Sequence, residues 1–238
     1  MTRRPRGSSQ DRRQPSLHFK QAQEIRADFD RIARLSPEDE DALGPNQRYL
    51  LRHAPAAMAE ALEVGCGTGA FTRHLARRAE RVMAIDLSPV MVEVARRRSP
   101  AFSNIEYVVA DATASDLPTM RFDCVASIDV LHHMPLRAML VKMIGAMRPG
   151  GVLLIRDLLD SRGLASLPRR TLARVVGRLV RCRPVSQDLV QAWADHGRGE
   201  ARPHLSEIKA LAAELTRGAR VTDHLLWGCY SIVWKKPQ

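Results

Sequence analysis

The chain is 238 residues long, 45% hydrophobic and 26% charged, the balance of a soluble globular protein with enough apolar material for a sizeable core. No window approaches the ~20 apolar residues of a membrane span, and the basic start MTRRPRGSSQDRRQPS leads into no apolar stretch of the secretory-signal kind. The net charge of +11 is concentrated in six basic residues over 1–20 and seven arginines over 162–183, patches that suit nucleic acid, an anionic substrate, a membrane surface or plain solvated helix faces.

Residues 1–16 hold almost nothing to bury and are expected to form a disordered basic tail. From Leu17 to Leu35 the apolar positions Phe19, Ala22, Ile25, Phe29, Ile32 and Ala33 recur at helical spacing. Ser36-Pro37 then reads as the N-cap and first position of a new helix. Asn46 to His53 is another helical segment. Residues 17–58 precede the first strand and are expected to fold over the ligand edge of the sheet as an N-terminal helical cap.

The central stretch is Ala59 to Ala70, AEALEVGCGTGA. Ala61, Leu62 and Val64 predict a buried strand, Gly65, Gly67 and Gly69 a tight turn, and Phe71 to Ala79 a helix. Such a turn between strand and helix is a cofactor-binding signature of open α/β sheets. Strands and helices then alternate. Arg81 to Asp86 is a second strand ending in an acid, and Ser88-Pro89 opens a helix to about Arg98. Asn104 to Ala110 is a third strand followed by Asp111, Phe122 to Ile128 a fourth, and Pro135 to Met147 a helix. Arg148-Pro149-Gly150-Gly151 turns into a fifth strand, Val152 to Ile155. Repeated units of this size predict a parallel, doubly wound sheet with helices on both faces.

The alternation stops at 158, where a basic helical insertion (158–204) begins. Leu205-Ser206-Glu207 starts a last helix ending near Leu215. Arg220 to Leu226 and Tyr230 to Trp234 predict an antiparallel hairpin at the end of the sheet. The cysteines Cys66, Cys124, Cys182 and Cys229 show no paired or zinc-type spacing, which predicts small buried thiols in a reducing cytoplasm and no metal site.

The glycine turn alone leaves two cofactors open. Gly65 to Ala70 fits a dinucleotide fingerprint, with Asp86 about 20 residues on as a NAD site requires. Against that, Glu63 stands two residues before the first glycine, where a pyrophosphate would be repelled. Acids at Glu63, Asp86 and Asp111, on three successive strand ends, suit a cationic, adenosine-containing cofactor.

With the DVLHHMP segment after strand four (129–135) and RPGG before strand five (148–151), the sequence resembles the class I S-adenosylmethionine-dependent methyltransferases of small-molecule type (the type 11/25 group). The resemblance covers about 59–157. More loosely, ADFDRIA (27–33) is similar to the entry segment of quinone-type and related methyltransferases, and GCYSIVWKK (228–236) to the family's last hairpin. It implies a Rossmann-like, seven-stranded, mostly parallel α/β sheet with an antiparallel last strand, and an S-adenosylmethionine-binding domain over 59–238. It also implies roles: Glu63, Gly65 and Gly67 around the methionine and ribose, Gly69 completing the turn, and Asp86 on the ribose hydroxyls. Leu87 would lie on the adenine, Asp111 with the Ala112 backbone at the adenine amino group, and the backbones of Ser127 and Ile128 at the methionine.

The chemistry implied is transfer of a methyl group to an O, N or C nucleophile of a small molecule in the cytoplasm. His132 and His133, at the ligand edge, are the candidate general bases; an alternative role is to shape the cofactor pocket. His18, His53, His196 and His204 lie in the cap or insertion. Rival readings are an RNA-directed methyltransferase using the basic patches, a NAD-dependent oxidoreductase and a silent cofactor-binding partner protein. Nucleic acid is disfavoured because no aromatic residues interleave the arginines for base stacking.

Overall fold

The computed structural model describes residues 15–37, 43–160, 186–198, 202–224 and 227–238, the side chains of 15–21 excepted. A seven-stranded sheet runs through the molecule in the order β3-β2-β1-β4-β5-β7-β6. Its strands are β1 (Met58–Val64), β2 (Ala79–Asp86), β3 (Ile105–Val109), β4 (Phe122–Ile128), β5 (Met147–Leu158), β6 (Arg220–His224) and β7 (Cys229–Lys235). The first five are mutually parallel; β7 enters between β5 and β6 and is antiparallel to both. The helices among the described residues are α1 (Pro15–Leu35), α2 (Pro45–His53), α3 (Ala70–Ala76), α4 (Pro89–Arg97), α5 (Leu136–Ala146), α6 (Gln187–His196) and α7 (Leu205–Leu215), with a 3-10 turn at Leu131–His133.

Alternation along β1 assigns its side chains to two layers. Leu62 and Val64 join Val125, Leu153 and Ile155 under α5 and α7. Ala61 packs with Val82, Cys124, Ala126 and Leu154 under Leu50 of α2 and Phe71 and Leu75 of α3. Glu63 shares that second face by the same period of two, which puts a carboxyl group where the pattern calls for an apolar side chain. Strand order reverses between β1 and β4, the switch point at which open α/β sheets take their ligands. Above it, α1 sets Ile32 and Ala33 against Met91 and Val94 of α4 and Leu189 and Ala192 of α6.

Among the described residues the expected strands and helices are present, with four differences. Helix α3 ends at Ala76, not Ala79, because Ala79 already pairs with Met58 at the start of β2. Strand β5 begins at Met147 and takes in Arg148 to Gly151 as an irregular stretch, its register slipping between the Phe122 and Cys124 pairings. It also runs on to Leu158, held there by β7. Helix α1 starts at Pro15, and Ser36 closes it, its hydroxyl donating to the Ile32 carbonyl.

The helix expected after Pro37 lies largely outside the described residues. So do 1–14 of the expected disordered tail, the Arg-rich stretch 162–183, and Cys182. Cys66, Cys124 and Cys229 are buried free thiols. Among the described residues, no helix is long and apolar enough to cross a membrane, and no cluster of metal-ligating side chains occurs.

Candidate active site

The chain leaves β1 through the glycine turn, where the Gly65 and Cys66 amides both donate to the Ile85 carbonyl at 2.7 and 3.0 Å. Gly65 has a φ of +75°, and a Cβ there would lie 2.3 Å from the Val130 side chain, so the turn can sit against the β4 loop only as glycine. Gly67, at φ +51°, has nothing within 4 Å of where its Cβ would be, and it lines a cavity of about 310 Å³. That volume is at the lower end of small-molecule sites, about 300–1,000 Å³.

Four acids from successive strand ends line this cavity: Glu63, Asp86, Asp111 and Asp129. Glu63 is fully buried and accepts a 2.5 Å hydrogen bond from the Thr72 hydroxyl of α3. Burial pushes its carboxyl up to about 8, with Asp86 adding to the effect and the Thr72 bond and Arg73 opposing it. Burial also raises Asp86, against the amides of Ser88 (2.9 Å) and Gly67 (2.8 Å) that donate to its two oxygens. Each oxygen keeps acceptor capacity beyond those bonds. Asp111 uses Oδ1 for the Thr113 amide and hydroxyl.

Gly65, Gly67, Leu87, Ala112 and Ile128 line the same cavity. Gly69 and Ser127 do not. Gly69 stands behind the turn at the start of α3, where a Cβ would meet the Tyr107 hydroxyl at 2.5 Å. Ser127 is fully buried, its hydroxyl donating to the Val64 carbonyl across the β1–β4 junction.

The two candidate bases part company. His132 turns inward: its Nδ1 lies 2.5 Å from Asp157 Oδ1, its amide donates to Asp157 Oδ2 at 2.7 Å, and both side chains are buried. His133 faces the cavity. Beside it Asp129 has left-handed backbone at φ +58° and pairs with Arg156. Burial raises the Asp129 carboxyl despite Arg156, and its Oδ1 is buried without a hydrogen-bond partner.

The outer wall is made by Ile25 and Phe29 of α1, on the helix expected to cap the ligand edge, and by Trp193 of α6, which no sequence signal singled out. The apolar stripe of α1 was visible as a helix face, but nothing local says that the face closes a cavity. Asp129 carried one signal, its place directly after the fourth strand.

The family model described as methyltransferase domain matches residues 62–155. A ubiquinone biosynthesis O-methyltransferase from Xylella fastidiosa is 31% identical over 191 residues, 74% of this chain and 73% of that protein. A malonyl-[acyl-carrier protein] O-methyltransferase from Serratia marcescens is 40% identical over 98 residues, 41% of this chain, and the chain spans only 37% of that protein's length. The crystal structure of the N-methyltransferase NodS from Bradyrhizobium japonicum, in complex with S-adenosyl-L-homocysteine, superposes with a TM-score of 0.60 at 18% identity, covering 92% of this chain and 99% of NodS.

Proposed function

The chain belongs to the class I S-adenosylmethionine-dependent methyltransferases, and from that premise we propose that it transfers a methyl group from S-adenosylmethionine to an O, N or C nucleophile of a small molecule. The observation that carries this reading is the convergence of Glu63, Asp86 and Asp111 on one cavity at the strand-order switch, over a turn that offers Gly67 without a side chain. These acids and one open glycine suit a cationic cofactor with a ribose and an adenine. They suit a pyrophosphate poorly, because the cavity's carboxyl groups offer its negative charge no compensating cation, whereas a cationic ligand would be compensated by ionisation of the buried Glu63.

Under this reading Asp86 takes the ribose hydroxyls, Leu87 packs on the adenine, and Asp111 with the Ala112 backbone takes the adenine amino group. Glu63, Gly65, Gly67 and the Ile128 backbone surround the methionine part. Gly69 and Ser127 act from behind, the first by opening α3 and the second by tying β4 to β1. When bound, the cofactor supplies a methyl group already activated on a sulfonium. The protein then has to hold the nucleophile in line and exclude water. Ile25, Phe29 and Trp193 serve exclusion, and His133, of the two histidines, is placed to take a proton. His132 positions the 3-10 turn through Asp157.

Acceptor choice falls to the cap (17–58) and to the 158–204 insertion, of which α6 is a part. The site of action in this reading is the cytoplasm, which suits the buried free thiols. The test is calorimetry of S-adenosylmethionine against NAD, followed by a mass-spectrometric search of a cell extract for products that gain a labelled methyl group. Binding of NAD without binding of S-adenosylmethionine would refute the proposal.

A further inference from the structure

A hydroxyl or protonated amine that accepts a methyl group must lose its proton, which the apolar side chains of the outer wall, Ile25, Phe29 and Trp193, cannot take. Three ionisable side chains from three separate elements meet at one edge of that wall. His133, on the 3-10 turn after β4, lines the cavity. Helix α6 brings His196, whose Nε2 is 3.3 Å from His133 Nε2. Helix α1 brings Asp28, whose Oδ2 is 3.1 Å from His196 Nδ1. Phe29, the next residue of α1, stands edge-on to the His133 ring with centroids 5.6 Å apart and lies 4.6 Å from the His196 ring. The inner histidine of the outer pair is enclosed and the carboxylate reaches solvent: the His196 side chain is 6% exposed and that of Asp28 47%. The row of groups therefore runs from the cavity to water.

The donors and acceptors are ordered by the carboxylate at the outer end. Ionised Asp28 only accepts, so His196 carries its proton on Nδ1. Its Nε2 is then an acceptor, and His133 donates to it from Nε2–H. His133 in that tautomer has Nδ1 as its basic nitrogen. Its ionisable neighbours among the described residues include His132, with ring centroids 3.9 Å away and Asp157 behind it, and four residues before it in the chain stands Asp129, paired with Arg156. Asp195, one residue before His196, is engaged by Arg31 and Arg198.

We infer that His133, His196 and Asp28 form a proton relay from the methyl-acceptor site to solvent, and that the acceptor is accordingly an O–H or N–H compound. This rests on the methyltransferase reading above. The acceptor's lone pair forms the bond to the methyl carbon while the carbon–sulfur bond breaks and leaves its pair on sulfur. The acceptor's proton goes to His133 Nδ1, the proton on His133 Nε2 to His196 Nε2, and the proton on His196 Nδ1 to Asp28, from which water takes it. No oxidant or reductant takes part.

Histidine side-chain nitrogen NMR on the whole chain without cofactor tests the relay directly. His196 is expected as the Nδ1–H tautomer, titrating in step with His133, with Asp28→Asn releasing both features. Independent titration, or His196 protonated at Nε2 alone, overturns the proposal. Calorimetry should give S-adenosylmethionine affinities within about twofold for the wild type, Asp28→Asn and His196→Gln. Failure of the wild type to bind would sink the methyltransferase reading while leaving the NMR result to stand by itself. With an O- or N-acceptor from the extract search, kcat should fall on the order of 100-fold in both variants, the scale of general-base catalysis, with KM little changed and the neutral limb of the pH profile displaced. Asp28→Asn is half exposed and isosteric, so it keeps the test open should His196→Gln unfold. Unchanged kcat, or an extract search that yields no O- or N-methylated product, overturns the relay.

Discussion

Glu63→Gln tests the electrostatics of the cavity floor in isolation. The substitution keeps the shape of the side chain and the acceptor for the Thr72 hydroxyl, and removes only the ionisable group. In the folded chain burial holds the Glu63 carboxyl at about 8, against an ordinary value of 4.5. Between those two values the folded state keeps a proton that the unfolded state has lost, so stability falls as pH rises through this window and levels off above it. At about 1.36 kcal/mol per tenfold change in proton activity, the wild type gives up about 3–4 kcal/mol between pH 5 and pH 8 through this one group. The Gln variant lacks that slope. Urea unfolding of both proteins without cofactor, at pH 5 and at pH 8, should therefore show the variant gaining by about that amount at the higher pH relative to the lower. The same group predicts that a cationic ligand in the cavity pulls the carboxyl down and expels close to one proton at neutral pH, which calorimetry in two buffers of different ionisation enthalpy reads directly. Parallel pH dependences in the two proteins would refute the reasoning.

Asp86→Ala should weaken S-adenosylmethionine binding by at least ~1.5 kcal/mol, through loss of hydrogen bonds to a charged acceptor; unchanged affinity by calorimetry would remove Asp86 from the site. Gly67→Ala puts a methyl group into the cavity at a φ of +51°, so cofactor affinity should drop more than tenfold, while about 1–2 kcal/mol of backbone strain leaves the fold intact by circular dichroism. A variant that binds as the wild type does would show that the turn is not the floor of the cofactor site. His132→Ala strands Asp157 in the core and should cost on the order of 3 kcal/mol in urea unfolding. An unchanged midpoint would mean that the pair contributes nothing to stability.

The sheet was legible because each parallel strand is a short apolar run with glycine, proline or an acid at its end, and those same end positions carry the cavity's acids. Helix α3 shows where local pattern fails. Phe71 to Ala79 continues a helical sequence, but pairing of Ala79 with Met58 overrides the local preference and ends the helix three residues early. The place of β7 between β5 and β6 was half legible: a hairpin can be read from two strands and a glycine, but which of them meets β5 is set by tertiary packing. The outer wall of the site was legible only in outline, as a helical cap over the ligand edge, and not in the side chains that close it. Phe29, Trp193 and His196 sit on ordinary amphipathic helices, and a meeting between residues 168 positions apart leaves no periodic trace. Glu63 was legible as an acid before the turn. Its anchoring by Thr72 depends on α3 folding back over β1, which spacing alone does not reveal.

The meeting of α1 with α6 also orders events in time. Strands β1, β2 and β4 join residues much nearer in the chain, as in the pairs Met58 with Ala79 and Ala61 with Cys124, 21 and 63 positions apart. Contact between Asp28 and His196 closes a loop of 168 residues for a small cluster of rings at the rim. Loop-closure entropy grows with length and has to be met before such a contact contributes anything in return. On refolding, amide protection across the central strands should precede the appearance of a closed cavity, and on gentle destabilisation the rim should open first. The molecule would then pass through a state with its full sheet and no ligand-binding site, in which being folded and being competent are separate properties.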